Sequence, residues 1–136
     1  MRIMALDVGS KRIGVALSDP LKITAQGLET FQRKTLEEDV KGLWKLIDEH
    51  EVSQLVVGLP KNMDGTEGER ARVIRAFADL VREYTAIEID FFDERMSTMV
   101  AYRFLGETGT YGKKRKDTVD TLSAQIILQN YLDSRR

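Results

Sequence analysis

A single α/β domain over residues 1–136, built on a five-stranded mixed sheet with helices on both faces, is the fold class this sequence predicts. Two short apolar runs, Ile3–Leu6 and Ile13–Leu17, are joined by the turn residues Gly9-Ser10-Lys11-Arg12, so they pair as an antiparallel hairpin. Further along, strand-like and helix-like patterns alternate, and right-handed crossovers then place helices on both faces of the sheet. With 42% hydrophobic residues among 136, the chain is long enough to close one core.

The elements follow in order. Arg2–Val8 reads as a buried strand and Ile13–Leu17 as its hairpin partner, followed by a turn at Ser18-Asp19-Pro20. Residues 22–31, KITAQGLETF, form a third strand with Gly27 as a bulge. Thr35-x-x-Glu38 is a capping box opening a helix whose apolar face is Leu36, Val40, Leu43, Trp44 and Ile47. The lone histidine, His50, stands at its C-terminal end and is read as a helix-end residue, not a ligand. QLVVGL at 54–59 has the continuous apolar character of a central strand covered on both sides. A loop, PKNMDG, occupies 60–65, and Thr66-x-x-Glu69 is a second capping box. Val73, Ile74, Phe77, Leu80, Val81 and Tyr84 mark the buried stripe of the helix it opens. Ile87–Phe92 is a fifth strand, and a short helix is predicted over 97–105. Residues 106–116, GETGTYGKKRK, read as a mobile loop by composition. A last helix runs over 117–132, with Asp117 as its N-terminal cap and Val119, Leu122, Ile126, Ile127 and Tyr131 inward.

Composition narrows the function classes. Lys and Arg number 21 against 22 Asp and Glu, so bulk charge gives nucleic-acid binding no support and any basic surface must be local. The chain has no cysteine, hence no disulfide framework and no thiolate metal site. No apolar stretch approaches the ~18 residues of a membrane span, and neither a signal peptide nor a transmembrane helix is recognisable. A cytoplasmic domain is the expectation.

Three acids then need explaining. Asp7 sits inside the first apolar strand, and burying a lone carboxylate costs several kcal/mol unless it is paired, hydrogen-bonded or metal-bound. FFDERMST at 91–98 ends a strand on Asp93, Glu94 and Arg95; alternation puts Ile87, Ile89, Phe91 and Asp93 on one side and Phe92 with Glu94 on the other. Asp120 lies at helical spacing from Ser123, Ala124 and Ile127, small enough for that face to approach the sheet closely. Taken alone, each acid can equally be a surface charge or a partner of nearby turn amides. Together Asp7, Glu94 and Asp120 suit a hard divalent cation, Mg²⁺ or Mn²⁺. Two such ions about 3.5–4 Å apart would activate water and stabilise the leaving oxyanion of a phosphodiester.

LDVGSKRIGVALSD, VGLPKNMDGT, DERMST and VDTLSAQIILQNYL, in this order and spacing, resemble the YqgF family, also called RuvX. Its members are described as Holliday junction resolvases and pre-16S ribosomal RNA nucleases, and the resemblance covers nearly the whole chain. It implies the ribonuclease H-like fold, matching the strand and helix order above. It also implies that Asp7, Glu94 and Asp120 are the catalytic, metal-binding acids: the first-strand Asp of DxGxKxxGVA, the Glu of DER and the Asp of VDxxxA. Structured nucleic acid is the implied partner, either a ribosomal RNA precursor or branched DNA, with monomer and homodimer both open. Gly9, Lys11, Arg12, Asn62, Arg95 and the basic run Lys113, Lys114, Arg115 and Lys116 are the candidate nucleic-acid contacts. Tyr111 could stack on a base. Two other classes stay in view. The hairpin DVGSKRIGVA also resembles the phosphate-binding hairpin of actin-like and sugar-kinase phosphotransferases, which need two such domains around a nucleotide. A non-catalytic RNA-binding or ribosome-assembly factor is the third.

Overall fold

The computed structural model describes residues 1–96 and 112–135, with backbone alone for 112–120. Strand β1 (Arg2–Val8) lies between β2 (Arg12–Ser18), antiparallel, and β4 (Val52–Leu59), parallel. Strand β3 (Ala25–Gln32) pairs antiparallel with β2, and β5 (Glu88–Asp93) parallel with β4, giving the order β3-β2-β1-β4-β5. Leu28 is the extra residue where the β2–β3 register shifts, next to the predicted bulge glycine, Gly27. Helix α1 (Leu36–Glu49) and helix α2 (Glu69–Tyr84) connect the parallel half, a short 3₁₀ turn (Glu94–Met96) follows β5, and helix α3 (Gly112–Ser134) closes the fold. The mixed sheet with helices on both faces is therefore as predicted.

Strand alternation sorts the core into two layers. Met4, Leu6, Ile13, Val15, Leu55, Val57 and Leu59 point to the side covered by α1 and α2, where Val40, Leu43, Ile74 and Phe77 meet them. Ile3, Ala5, Ala16, Ala25 and Val56 point to the other side, under Ala124, Ile127, Leu128 and Tyr131 of α3. Small residues on this second side let one helix lie close. A Cβ on Gly27 would collide with the Thr121 methyl, and the Thr30 and Thr121 hydroxyls are hydrogen-bonded to each other.

Several local readings are corrected. Thr35 forms the N-cap of the first predicted capping box: the Glu38 amide donates to Thr35 Oγ1 (3.2 Å), and the Glu38 carboxylate accepts from the Thr35 hydroxyl (3.0 Å). The second box does not form. The Thr66 hydroxyl and amide both donate to Asp64 Oδ1 (2.6 and 3.0 Å), and Gly68 is the N-cap of α2. The loop's own side chains outcompete the cap. Leu36, Trp44, Val73 and Tyr84, expected inside, are each more than two-fifths exposed, because only a narrow stripe of each helix touches the sheet. Helix α3 begins at Gly112 rather than 117, so Lys113–Lys116 belong to a helix, not a loop, and Asp117 is not its cap. Leu122 and Ile126 are half-buried; the fully covered positions are Ser123, Ala124, Ile127 and Leu128. The helix predicted over 97–105, most of the predicted loop and Tyr111 lie outside the described residues.

Candidate active site

At the carboxyl end of β1, the chain puts an acid where the sheet is thinnest. Asp7 follows Ile3 and Ala5 on the α3 side, and its cross-strand partner on β2 is Gly14. On β4, the position after Val57, which pairs with Leu6, is Gly58. Asp7 is thus flanked by two glycines, and glycine inside a buried strand marks the close approach of another group. That group is Glu94. A Cβ on Gly58 would stand 3.1 Å from Glu94 Oε1 and 2.7 Å from Ile127 Cδ1. The 3₁₀ turn after β5 folds the Glu94 carboxyl back over β4 and beside Asp7.

The electrostatics of Glu94 reflects its nearness to Asp7. The Glu94 carboxyl is pushed up to about 7, by burial first and by the Asp7 carboxylate second. Arg70 pulls in the opposite direction, and Asp93 adds a smaller upward push. A half-buried carboxyl raised by burial and then by a neighbouring carboxylate offers oxygen donors whose repulsion a cation would relieve. The donor set therefore fits a hard divalent ion. Among the described residues no group of three or more His, Cys, Asp or Glu is placed to hold a metal. The third predicted acid, Asp120, lies in α3 one turn before Ala124 and two before Ile127, and its side chain is outside the described residues.

Two arginines that the sequence reading passed over fix the strand end behind Asp7. Arg70, in the first turn of α2, donates from Nη2 to the Val8 carbonyl (2.6 Å). Arg33, just past β3, donates from Nη1 to the Gly9 carbonyl (3.0 Å) and from Nε to Asp39 Oδ2 (3.0 Å), and stacks 5.4 Å from the centre of the Phe77 ring. Asp39 is buried and also accepts from the Lys34 amide (2.9 Å). Neither arginine belongs to a pattern that single-sequence reading singles out. The glycines did carry a signal: Gly14 and Gly58 interrupt otherwise apolar strands.

The other predicted contacts separate into two groups. Gly9 makes the hairpin turn itself: its amide donates to the Arg12 carbonyl (2.8 Å), and a Cβ there would meet that oxygen at 2.8 Å. Lys11 is exposed at the same turn and Arg12 is half-buried. Asn62 and Arg95 are engaged within the protein. Asn62 Nδ2 donates to Thr66 Oγ1 (2.9 Å), and Arg95 grips Asp93 with Nε and Nη2 while Nη1 donates to the Met63 carbonyl (3.3 Å). The Arg95 hydrogen bonds hold Asp93 below the usual carboxylate range. Arg95 thereby ties the loop after β4 to the turn that carries Glu94. The side chains of Lys113, Lys114, Arg115 and Lys116 are outside the described residues.

Comparison with known proteins bears on this arrangement. The model of the family described as "RuvX: Holliday junction resolvase" matches residues 1–134. A Desulforamulus reducens protein named "Putative pre-16S rRNA nuclease" is 48% identical over 134 residues, covering 98% of both chains. A Halothermothrix orenii protein of the same name is 50% identical over 133 residues, covering 98% of this chain and 95% of the relative. Among solved structures, Thermus thermophilus RuvC in complex with a Holliday junction substrate superposes with a TM-score of 0.59 at 11% identity, over 99% of this chain and 95% of that one. The fowlpox virus Holliday junction resolvase gives 0.54 at 14% identity, over 98% and 99%. At such identities these two show the fold alone, which is ribonuclease H-like.

Proposed function

The chain belongs to the RuvX Holliday junction resolvase family, and from that premise we propose that it is a nuclease hydrolysing phosphodiester bonds at Asp7, Glu94 and Asp120. The observation that carries the site assignment is the meeting over Gly58 of Asp7, from β1, and Glu94, from the turn after β5, two strands that are not neighbours in the sheet. Asp7 and Glu94, with Asp120 from α3, would hold Mg²⁺ or Mn²⁺ as a two-ion site. The bound metal supplies a water activated at neutral pH and neutralises charge on the leaving oxygen. The protein's own part is geometric. The Arg70 and Arg33 bonds fix the backbone just past Asp7, and Gly58 admits the Glu94 carboxyl to the sheet surface. The Arg95 fork sets the turn on which Glu94 stands.

Structured nucleic acid is the substrate class, and the 5′ region of the small-subunit ribosomal RNA precursor is the first choice within it. The relatives at 48% and 50% identity, which carry the pre-16S name, support that choice. A four-way DNA junction is the second reading, supported by the family description. It requires two symmetric cuts, hence a two-fold dimer. No helix among the described residues is long and apolar enough to cross a membrane. The cytoplasm is the proposed site of action because the proposed substrate, a ribosomal RNA precursor, is found there.

The test offers the purified protein a ribosomal RNA precursor and a four-way junction, each with Mn²⁺ and with chelator, beside Asp7→Asn. Metal-dependent cleavage of the precursor, lost in the variant, is the expected result. Cleavage of the junction alone would establish the second reading. Equal cutting by Asp7→Asn would remove the site assignment.

A further inference from the structure

A phosphodiester carries negative charge, and the floor of this site is two carboxylates. Metal ions at the acids offset part of that repulsion, but the substrate also needs a cationic side chain facing it. Three arginines with defined partners reach the carboxyl ends of the strands, and their bonding differs. Arg33 is half-buried, with its guanidinium divided among Asp39, the Gly9 carbonyl and the Phe77 ring. Arg95 spends its fork on both oxygens of Asp93 and on the carbonyls of the loop after β4. Both are occupied in holding the protein together. Arg70 is exposed, and among the described residues its guanidinium donates one hydrogen bond, to the Val8 carbonyl. A guanidinium has five N–H donors in a planar fork, so that one bond uses a small part of its capacity.

Its position completes the case. Val8 follows Asp7 directly, so the bond to its carbonyl fixes the guanidinium at the rim of the acid pair. It is close enough to Glu94 to favour that carboxylate's charge. It also stands in the first turn of the 16-residue helix α2, where the peptide dipoles add positive potential. Resting on the nuclease reading above, we infer that Arg70 is a substrate-binding residue: held against the Val8 carbonyl, its remaining N–H donors grip a phosphate oxygen of the nucleic-acid strand entering over Asp7 and Glu94. Arg33 is its counterpart in positioning only, since its donors are committed to the protein.

The experiment measures binding in Ca²⁺ and cleavage in Mn²⁺ for the parent, Arg70→Gln and Arg70→Lys, using a synthetic four-way DNA junction and a ribosomal RNA precursor fragment. Arg70→Gln is expected to weaken binding about tenfold, to lower the slope of log affinity against log salt by about 1, and to reduce kcat/KM chiefly through KM, with an unchanged circular dichroism spectrum. Arg70→Lys keeps the charge but not the fork, and should restore the salt slope while recovering only part of the affinity. An Arg70→Gln protein that binds and cleaves like the parent overturns the inference. If that variant does not fold, Arg70→Lys decides, and parental affinity and KM in it overturn the claim for the guanidinium. A parent that binds neither probe removes the nuclease reading itself, whereas a parent that binds while Arg70→Gln is indifferent removes only the role of Arg70.

Discussion

The two faces of one sheet are built to different rules. Under α1 and α2 the strands present large aliphatic side chains: Met4, Leu6, Ile13, Leu55 and Leu59 are all essentially inaccessible. Under α3 the same strands present Ala5, Ala16, Gly14, Gly27 and Gly58, and the row ends in Asp7. Because successive residues alternate sides, Leu6 and Asp7, or Val57 and Gly58, are neighbours in the chain with opposite duties. The first face supplies burial. The second gives up side-chain volume so that a helix and two carboxyl groups can approach the backbone. Substitutions on the two faces should therefore fail in different ways.

The largest expected effect lies on the thin face. Asp7→Asn keeps the size of the side chain but exchanges one acceptor oxygen for an amide donor and removes the charge that would hold a cation. A loss of several kcal/mol of transition-state stabilisation corresponds to a fall in cleavage rate of roughly 10³-fold or more. The melting temperature should not fall, since the variant also relieves the repulsion on Glu94. Next comes Leu55→Ala on the thick face. Leu55 is fully buried between its strand neighbours Met4 and Ile89, so its loss should cost about 2–5 kcal/mol in denaturant unfolding. The rate per folded molecule should stay near that of the parent. A Leu55→Ala protein with normal stability, or Asp7→Asn with normal cleavage, would erase the distinction between the faces.

That distinction was only half legible in the sequence. Apolar runs and turn residues placed the strands to within a few residues, and alternation along the fifth put Phe91 and Phe92 on opposite sides, as their packing into separate layers bears out. Asp7 stood out because an acid inside an apolar run needs a reason. What stayed hidden depends on pairings between distant segments. That Gly58 lies beneath Glu94 needs the β4–β5 register, and that Arg70 meets the Val8 carbonyl needs the packing of α2 against the end of β1. Local rules also misled where local competition is strong. Thr66 looks like a cap three residues before Glu69, yet Asp64 takes its hydroxyl and amide first. Trp44 fits the apolar spacing of α1 and is nonetheless 45% exposed, because a helix on a sheet buries a stripe narrower than its apolar arc.

Gly58→Ala tests the link between the faces. The added Cβ would stand 2.7 Å from Ile127 Cδ1 and 3.1 Å from Glu94 Oε1, and only the tips of those side chains can give way. Overpacking of this kind costs about 1–3 kcal/mol, and displacing a site carboxylate by a fraction of an ångström lowers cleavage by on the order of tenfold. A substitution on the sheet floor should thus reduce both stability and rate, unlike either variant above. Unchanged kcat in Gly58→Ala would mean that the position of Glu94 over the strand is not what the chemistry uses.

The smallest effect is the most specific, and it concerns pH. The Glu94 carboxyl titrates near 7 in the folded protein, raised by burial and then by Asp7, against an ordinary value of 4.5. A raised acid binds its proton more tightly when folded, so its favourable contribution is complete below about 4.5, is lost as pH climbs through about 7, and changes no further above that. With solvent screening of a half-buried group, the loss is on the order of 1 kcal/mol, or a few degrees in melting temperature. Glu94→Gln cannot ionise. Under chelating conditions its melting temperature should match the parent's near pH 4.5 and exceed it by those few degrees at pH 8. Mn²⁺ should then reverse the order at pH 8, stabilising the parent by occupying the carboxylate pair and leaving Glu94→Gln nearly unmoved. Parallel melting curves for the two proteins across pH 4.5–8, with and without Mn²⁺, would show that Glu94 feels neither Asp7 nor a cation. The thin face would then be a packing surface like the other.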